Sequence, residues 1–194
     1  MPWILLHAGD LVQRHGKKVA ISLCPHSGYR GRMPAEKPRA EIVPTNHEWR
    51  RAGRIVINAP IAVIFDLLAD PRRHADFDGS GTVQRQIKGP LRLSKGATFG
   101  MAMRVKLPYT ITNTVEEFEE PSRIAWRHLG RHRWRYELEA VDTATTVVTE
   151  TFDGSTALFP PALKLINAYD NNQKAILKSL VQLKIIAEEL AASI

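Results

Sequence analysis
Apolar and polar residues along the chain fall into two successive periods. Arg54-Ile55-Val56-Ile57-Asn58 is a β-rich run that stops at Ala59-Pro60. Pro60 suits the first turn of a helix, and Ile61, Ile64, Phe65, Leu67 and Leu68 recur at helical spacing up to Asp70-Pro71. A polar, Gly-containing connection over 74–81 leads into strand-like segments near 82–88, 97–106, 109–118, 122–129, 131–140 and 145–153. After Phe159-Pro160-Pro161 the period becomes helical, and the pattern predicts one long helix to about Ala192. Its stripe is Ile166, Tyr169, Ile176, Leu180, Leu183, Ala187 and Leu190, with Asp170, Lys174, Lys178, Lys184 and Glu188 on wetter faces.

Parity registers two hairpins. Phe99, Met101, Met103 and Val105 share one face, and after a connection at Lys106-Leu107-Pro108 that face continues through Tyr109, Ile111, Asn113 and Val115. Ile124, Trp126 and His128 share a face with His132, Trp134 and Tyr136 if Leu129-Gly130-Arg131 is an odd-length loop, with Gly130 suited to its left-handed position. Trp126 then lies opposite Trp134, and Ile124 opposite Tyr136. A five-residue loop at 141–145 puts Glu150 opposite Tyr136 on the same face, with Phe152 beside it.

Residues 1–46 have no sustained period and read as a poorly ordered basic extension; the domain runs from 47 to 194. Met33 opens a conventional polar leader and is an alternative start. The high pI is mainly a property of the first segment: residues 1–52 carry nine Lys/Arg against four Asp/Glu, and 53–194 carry 18 against 16. That weakens a nucleic-acid reading, and no recognition helix or RNA-binding aromatic motif supports one. The single Cys24 excludes an intramolecular disulfide and a Cys-based zinc site, and the Cys24-Pro25-His26 cluster has too few ligands for a metal. No run approaches the length of a membrane-spanning helix, so the protein is expected to be cytoplasmic, with no cofactor and no metal.

A strand, short helices, a meander of strands and a long C-terminal helix describe an α+β helix-grip arrangement, a curved antiparallel sheet of about six or seven strands wrapped around that helix. The motifs Ile57-Asn58-Ala59-Pro60, Leu68-Ala69-Asp70-Pro71-Arg72-Arg73-His74, Asp78-Gly79-Ser80-Gly81, Pro121-Ser122-Arg123-Ile124-Ala125-Trp126 and Thr149-Glu150-Thr151-Phe152 together resemble the polyketide cyclase/dehydrase and lipid-transport group of the START-like superfamily. The resemblance covers residues 50–190 and is specific as a set rather than piece by piece. It implies a cavity between sheet and helix. The turn Val141-Asp142-Thr143-Ala144-Thr145 departs from the glycines similar sequences carry, and the superfamily has no shared catalytic motif to transfer.

The expected lining of that cavity is Phe99, Met101, Met103, Ile111, Asn113, Val115, Trp126, His128, Trp134, Tyr136, Glu150 and Phe152 from the sheet, with Ile166 and Tyr169 from the helix. The same residues could equally fill a solid core, which period alone does not separate from a cavity. Asn113, His128 and Glu150 are the inward polar groups; a buried carboxyl near an imidazole suits general acid/base chemistry, whereas a rim position for His128 and an outward Glu150 carry none. His74, Asp76 and Asp78 read as caps and turn formers. On the other face Arg123, Arg127, Arg131, Arg133 and Arg135 crowd one hairpin; either they pair with acidic side chains or they meet an anionic partner. Three functions stay open: a carrier of an apolar metabolite, a cofactor-independent cyclase or dehydratase, and an interaction module built on the arginine face.

Overall fold
The computed structural model describes residues 37–194. Cys24, His26, Met33 and the rest of the expected extension up to residue 36 lie outside them. Strand β1 (Glu41–Val43) pairs antiparallel with β2 (Arg50–Ile57), so the sheet begins ahead of residue 47, where the apolar pattern starts the domain. Three residues are too few to display a period. With β3 (Val83–Lys88), β4 (Thr98–Arg104), β5 (Pro108–Glu119), β6 (Arg123–Arg127), β7 (Arg133–Ala140) and β8 (Thr146–Asp153) they form one eight-stranded antiparallel sheet, ordered β1-β2-β8-β7-β6-β5-β4-β3. The sheet thus has one strand more than the upper expectation.

Between β2 and β3 lie helix α1 (Ile61–Ala69), a 3-10 turn (Pro71–Arg73) and the single-turn α2 (His74–Phe77). Helix α1 stops where Asp70 turns extended ahead of Pro71, and its carboxylate accepts a 3.0 Å bond from the Arg72 amide. The apolar face of α1, including Ile64, Phe65 and Leu68, is buried.

The expected single C-terminal helix is two helices, α3 (Pro160–Leu165) and α4 (Ala168–Ala191). Asn167 between them has φ of +52°, a left-handed conformation that Asn tolerates and that redirects the chain. Ile166 therefore does not share the face of α4: it is 69% exposed, and its place in the expected site is corrected accordingly. Tyr169, Ile176, Leu180, Leu183 and Ala187 are buried as the stripe requires, whereas Leu190 at the frayed end is exposed.

Two glycines set how closely α4 approaches. A Cβ on Gly53 of β2 would lie 2.8 Å from Ile176 Cγ2. A Cβ on Gly79 would lie 2.3 Å from the Ala175 carbonyl oxygen and 2.4 Å from the Ser179 nitrogen, backbone atoms that cannot swing aside. Gly79→Ala is expected to push the 78–82 loop off α4 and to cost about 1–3 kcal/mol, as overpacking does. Its thermal midpoint, measured beside that of the parent, checks this; an unchanged midpoint would mean the loop is not held against the helix.

Candidate functional site
The parity of the strands holds in three dimensions. Trp126 pairs with Trp134, Ile124 with Tyr136, and Tyr136 with Glu150. In the β4–β5 hairpin the faces are as expected but the turn occupies 105–107, one residue earlier, so that Met103 pairs with Tyr109 and Phe99 with Asn113. In the β6–β7 loop the left-handed residue is Arg131, at φ of +63°, and not Gly130. The Gly130 amide instead donates to His128 Nδ1 at 3.1 Å.

Between the sheet's inward face and α4 lies a cavity of about 530 Å³. Of the residues expected to line it, Phe99, Met101, Met103, Ile111, Asn113, Trp126, His128, Trp134, Tyr136 and Glu150 do. Val115, Phe152 and Tyr169 are buried in the core beside it: Phe152 packs on Trp134 with ring centroids 4.9 Å apart, and Tyr169 on Phe152 at 5.8 Å. Their side chains fix the wall without facing the space.

Helix α2 and α4 supply walls that the strand pattern missed. His74 is buried, with Nε2 2.9 Å from the Leu68 carbonyl and its ring stacked on Trp126 at 4.7 Å and 19°. Burial lowers its pKa to about 4, so the ring is neutral and behaves as an aromatic wall rather than a cap. Its i,i+3 spacing to buried Phe77 is the sequence signal for this face. Asp78 is the turn former expected of it, accepting from the amides of Ser80, Thr82 and Val83 at 3.1, 2.8 and 2.9 Å. Asp76 pairs with Arg73 at 2.5 Å. From α4, Ser179 holds the loop by accepting from the Gly79 amide at 2.8 Å, and Asn171, Lys174 and Lys178 stand exposed at the mouth. The lysines belong to the face the helical period marks as wet, which gave no hint of a cavity beside it.

The inner polar groups are Glu150, Tyr136 and Asn113, all buried. Burial pushes the Glu150 carboxyl up to about 8; the Tyr136 hydroxyl opposes the rise and the Asp78 charge adds to it. Glu150 is thus a neutral acid at pH 7, and its Oε2 is enclosed with no hydrogen-bond partner among the described residues. Burial, then the Glu150 charge, raises Tyr136 well above the ordinary phenol range. Asn113 is buried and lines the cavity with them. His128 is only half-buried, on the cavity rim, where burial lowers its pKa. Glu150 does face inward, so the two carry different parts of the expectation. Among the described residues no three His, Cys, Asp or Glu side chains gather as a metal site would require.

The opposite face answers the arginine question. Arg127 bonds Glu116 at 2.5 Å, Arg133 bonds Glu117 at 2.7 Å and Glu116 at 3.3 Å, Arg135 bonds Glu117 at 2.6 Å, and Arg123 bonds Glu119 at 2.6 Å. A bulge on β5, between Val115 and Glu117, brings consecutive glutamates beneath the guanidinium groups. The like-charge pair Arg127 and Arg133 is therefore neutralised internally, and only Arg131, on the loop, lacks an acidic partner among these five.

No family model matches the chain. Uncharacterized protein Rv0088 of Mycobacterium tuberculosis is 38% identical over 158 residues, 79% of this chain and 69% of the relative. The fold is shared with the Polyketide_cyc-like protein Cgl2372 of Corynebacterium glutamicum, with a TM-score of 0.51 and 21% identity over 76% of this chain and 97% of that one. The chain belongs to the same family as Rv0088, and its fold is the helix-grip fold. Protein Ms6760 of Mycobacterium smegmatis has the same fold, with a TM-score of 0.57 and 16% identity over 81% of this chain and all of that one. At such identities the solved neighbours establish the START-like fold and no more.

Proposed function
We propose that this START-like protein binds a hydrophobic small molecule of lipid or polyketide character in the cavity between sheet and α4. The observation that carries the reading is the cavity itself: about 530 Å³, walled by Trp126, Phe99, Met101 and Met103, with neutral polar groups at Glu150, Tyr136 and Asn113. Such a site favours an apolar body whose neutral oxygen function meets the polar groups, because a protonated carboxyl and a phenol donate hydrogen bonds but carry no charge to offset an anion. Native mass spectrometry of the protein purified from its own host is expected to reveal a co-purifying apolar mass, and the neutral dye Nile red is expected to bind stoichiometrically and be displaced by that molecule. Failure of Nile red to bind the folded protein would sink the proposal.

Glu150 favours a second reading, a cofactor-independent cyclase or dehydratase, since a carboxyl titrating near 8 can act as a general acid and lines the same cavity as Asn113 and His128. The readings separate at Glu150→Gln. A carrier retains binding with a modest change in affinity, whereas an enzyme retains binding and loses turnover of the co-purified molecule by about 100-fold or more.

A further inference from the structure
One end of the sheet gathers exposed apolar side chains and unpaired cations together. In an antiparallel meander alternate turns share an end, so the β4–β5 turn, the β6–β7 loop and the segment that leaves β8 lie together at the end where the cavity opens. Hydrogen bonds tie the last two of these: the Leu158 amide donates to the Gly130 carbonyl at 3.3 Å, and the Thr156 hydroxyl to the Arg131 carbonyl at 2.8 Å. Each segment holds large aliphatic side chains out to solvent. The β4–β5 turn presents Val105 and Leu107, and the β6–β7 loop presents Leu129, 88% exposed. The chain after β8 presents Leu158 and Phe159, and the end of α3 presents Leu165, 86% exposed, and Ile166. Val105 also lines the cavity, so this apolar rim is continuous with its mouth.

Cations are interleaved with these side chains. Arg104 and Lys106 flank the first turn, Arg131 lies on the second loop, Lys164 on α3, and Lys174 and Lys178 at the mouth on α4. All are exposed, and none forms an ion pair among the described residues, whereas the arginines of the β6–β7 strands are matched by glutamates. Exposed apolar tips with unpaired cations between them fit a surface that offers both hydrocarbon and negative charge. A second copy docking through the same end would bring these cations against one another, and a nucleic acid offers nothing to the aliphatic tips. Among the described residues no helix is long and apolar enough to cross a membrane.

We propose that the mouth end of the sheet docks onto an anionic phospholipid bilayer, seating the apolar tips at the acyl boundary and the free lysines and arginines among the headgroups. The cavity then opens toward the bilayer, from which an apolar ligand enters without crossing water; this route rests on the proposed ligand site, whereas docking itself does not.

The test is co-sedimentation of the full chain with phosphatidylcholine vesicles, with and without phosphatidylglycerol. The expected result is binding to the anionic vesicles only, weakening as salt is raised. Leu129→Ser with Leu165→Ser should weaken it about ten-fold, and Lys106→Glu with Arg131→Glu by a similar factor or more. All four sites are exposed, so the thermal midpoint and Nile red binding should match the parent, which separates loss of docking from loss of the cavity. Three outcomes overturn the proposal: no binding to anionic vesicles at low salt; binding that both double variants retain, which would assign it to another part of the chain; or no vesicle binding with self-association that Leu129→Ser and Leu165→Ser abolish, which would make the rim an interface between copies.

Discussion

Glu150→Gln is expected to leave stability nearly unchanged at low pH and to raise it by a few kcal/mol at about pH 8. The folded carboxyl titrates at about 8, against an ordinary value of 4.5 in the unfolded chain. Between those values the folded state holds a proton that the unfolded state has released. Stability therefore falls as pH rises through the window, and the loss is complete above the folded pKa. Each unit of difference is worth about 1.4 kcal/mol, and compensating relaxation or water entry brings the whole to the order of a few kcal/mol. Glutamine keeps the shape of the side chain and removes the titration.

Buried His74 and half-buried His132 act on the other limb. His74 and His132 are held neutral by burial, each at about 4 against 6.5 unfolded, with the neighbouring His128 adding to the depression of His132. Here the unfolded state binds the extra protons, so their contribution is present above the unfolded value and is lost as pH falls through the folded one. The parent protein should thus be most stable in the middle of the range and weaken on both sides. Glu150→Gln should keep the acid limb and lose the alkaline one. Urea midpoints for both proteins across the range decide it; parallel profiles would mean that Glu150 is ionised and paired in the fold.

The parts of this architecture that sequence made legible are those set by period two. Strand alternation, fixed by which face is buried, placed Trp126 against Trp134 and Glu150 against Tyr136, because a slip of one residue would have exposed every aromatic side chain on those strands. Crowding of Arg127 and Arg133 across one pair called for either acidic side chains or an anionic partner, and Glu116 and Glu117 supply the first. Features decided by a single backbone conformation were not legible. The break at Asn167 interrupts a helical pattern that reads on unbroken and removes Ile166 from the site; the left-handed residue of the β6–β7 loop is Arg131 although Gly130 is better suited to it. Nor does a helical period distinguish a lysine facing bulk water from Lys174 and Lys178 at the edge of a cavity. The position of α4 over the cavity is set by its close approach to the 78–82 loop at Gly79 and to β2 at Gly53, contacts between residues far apart in sequence.

Trp126→Ala tests whether these aromatics enclose space or fill it. Trp126 is 8% exposed, stacked on His74 at 4.7 Å and on Tyr136 at 5.6 Å, with the Phe99 ring edge-on at 5.9 Å. Truncating a fully packed tryptophan costs about 3–5 kcal/mol, and Trp126 also lines the cavity, so the expected loss is near the lower end, about 3 kcal/mol. Trp134, half-buried and packed chiefly on Phe152, should lose less. Both truncations enlarge the cavity and remove apolar wall, so Nile red affinity should fall in both variants, and fall further than stability alone explains for Trp134→Ala. Chemical denaturation and dye titration on the same two proteins separate the cases. A solid core would make both truncations strongly destabilising while the parent protein binds no dye, and that result would remove the ligand proposal at its foundation.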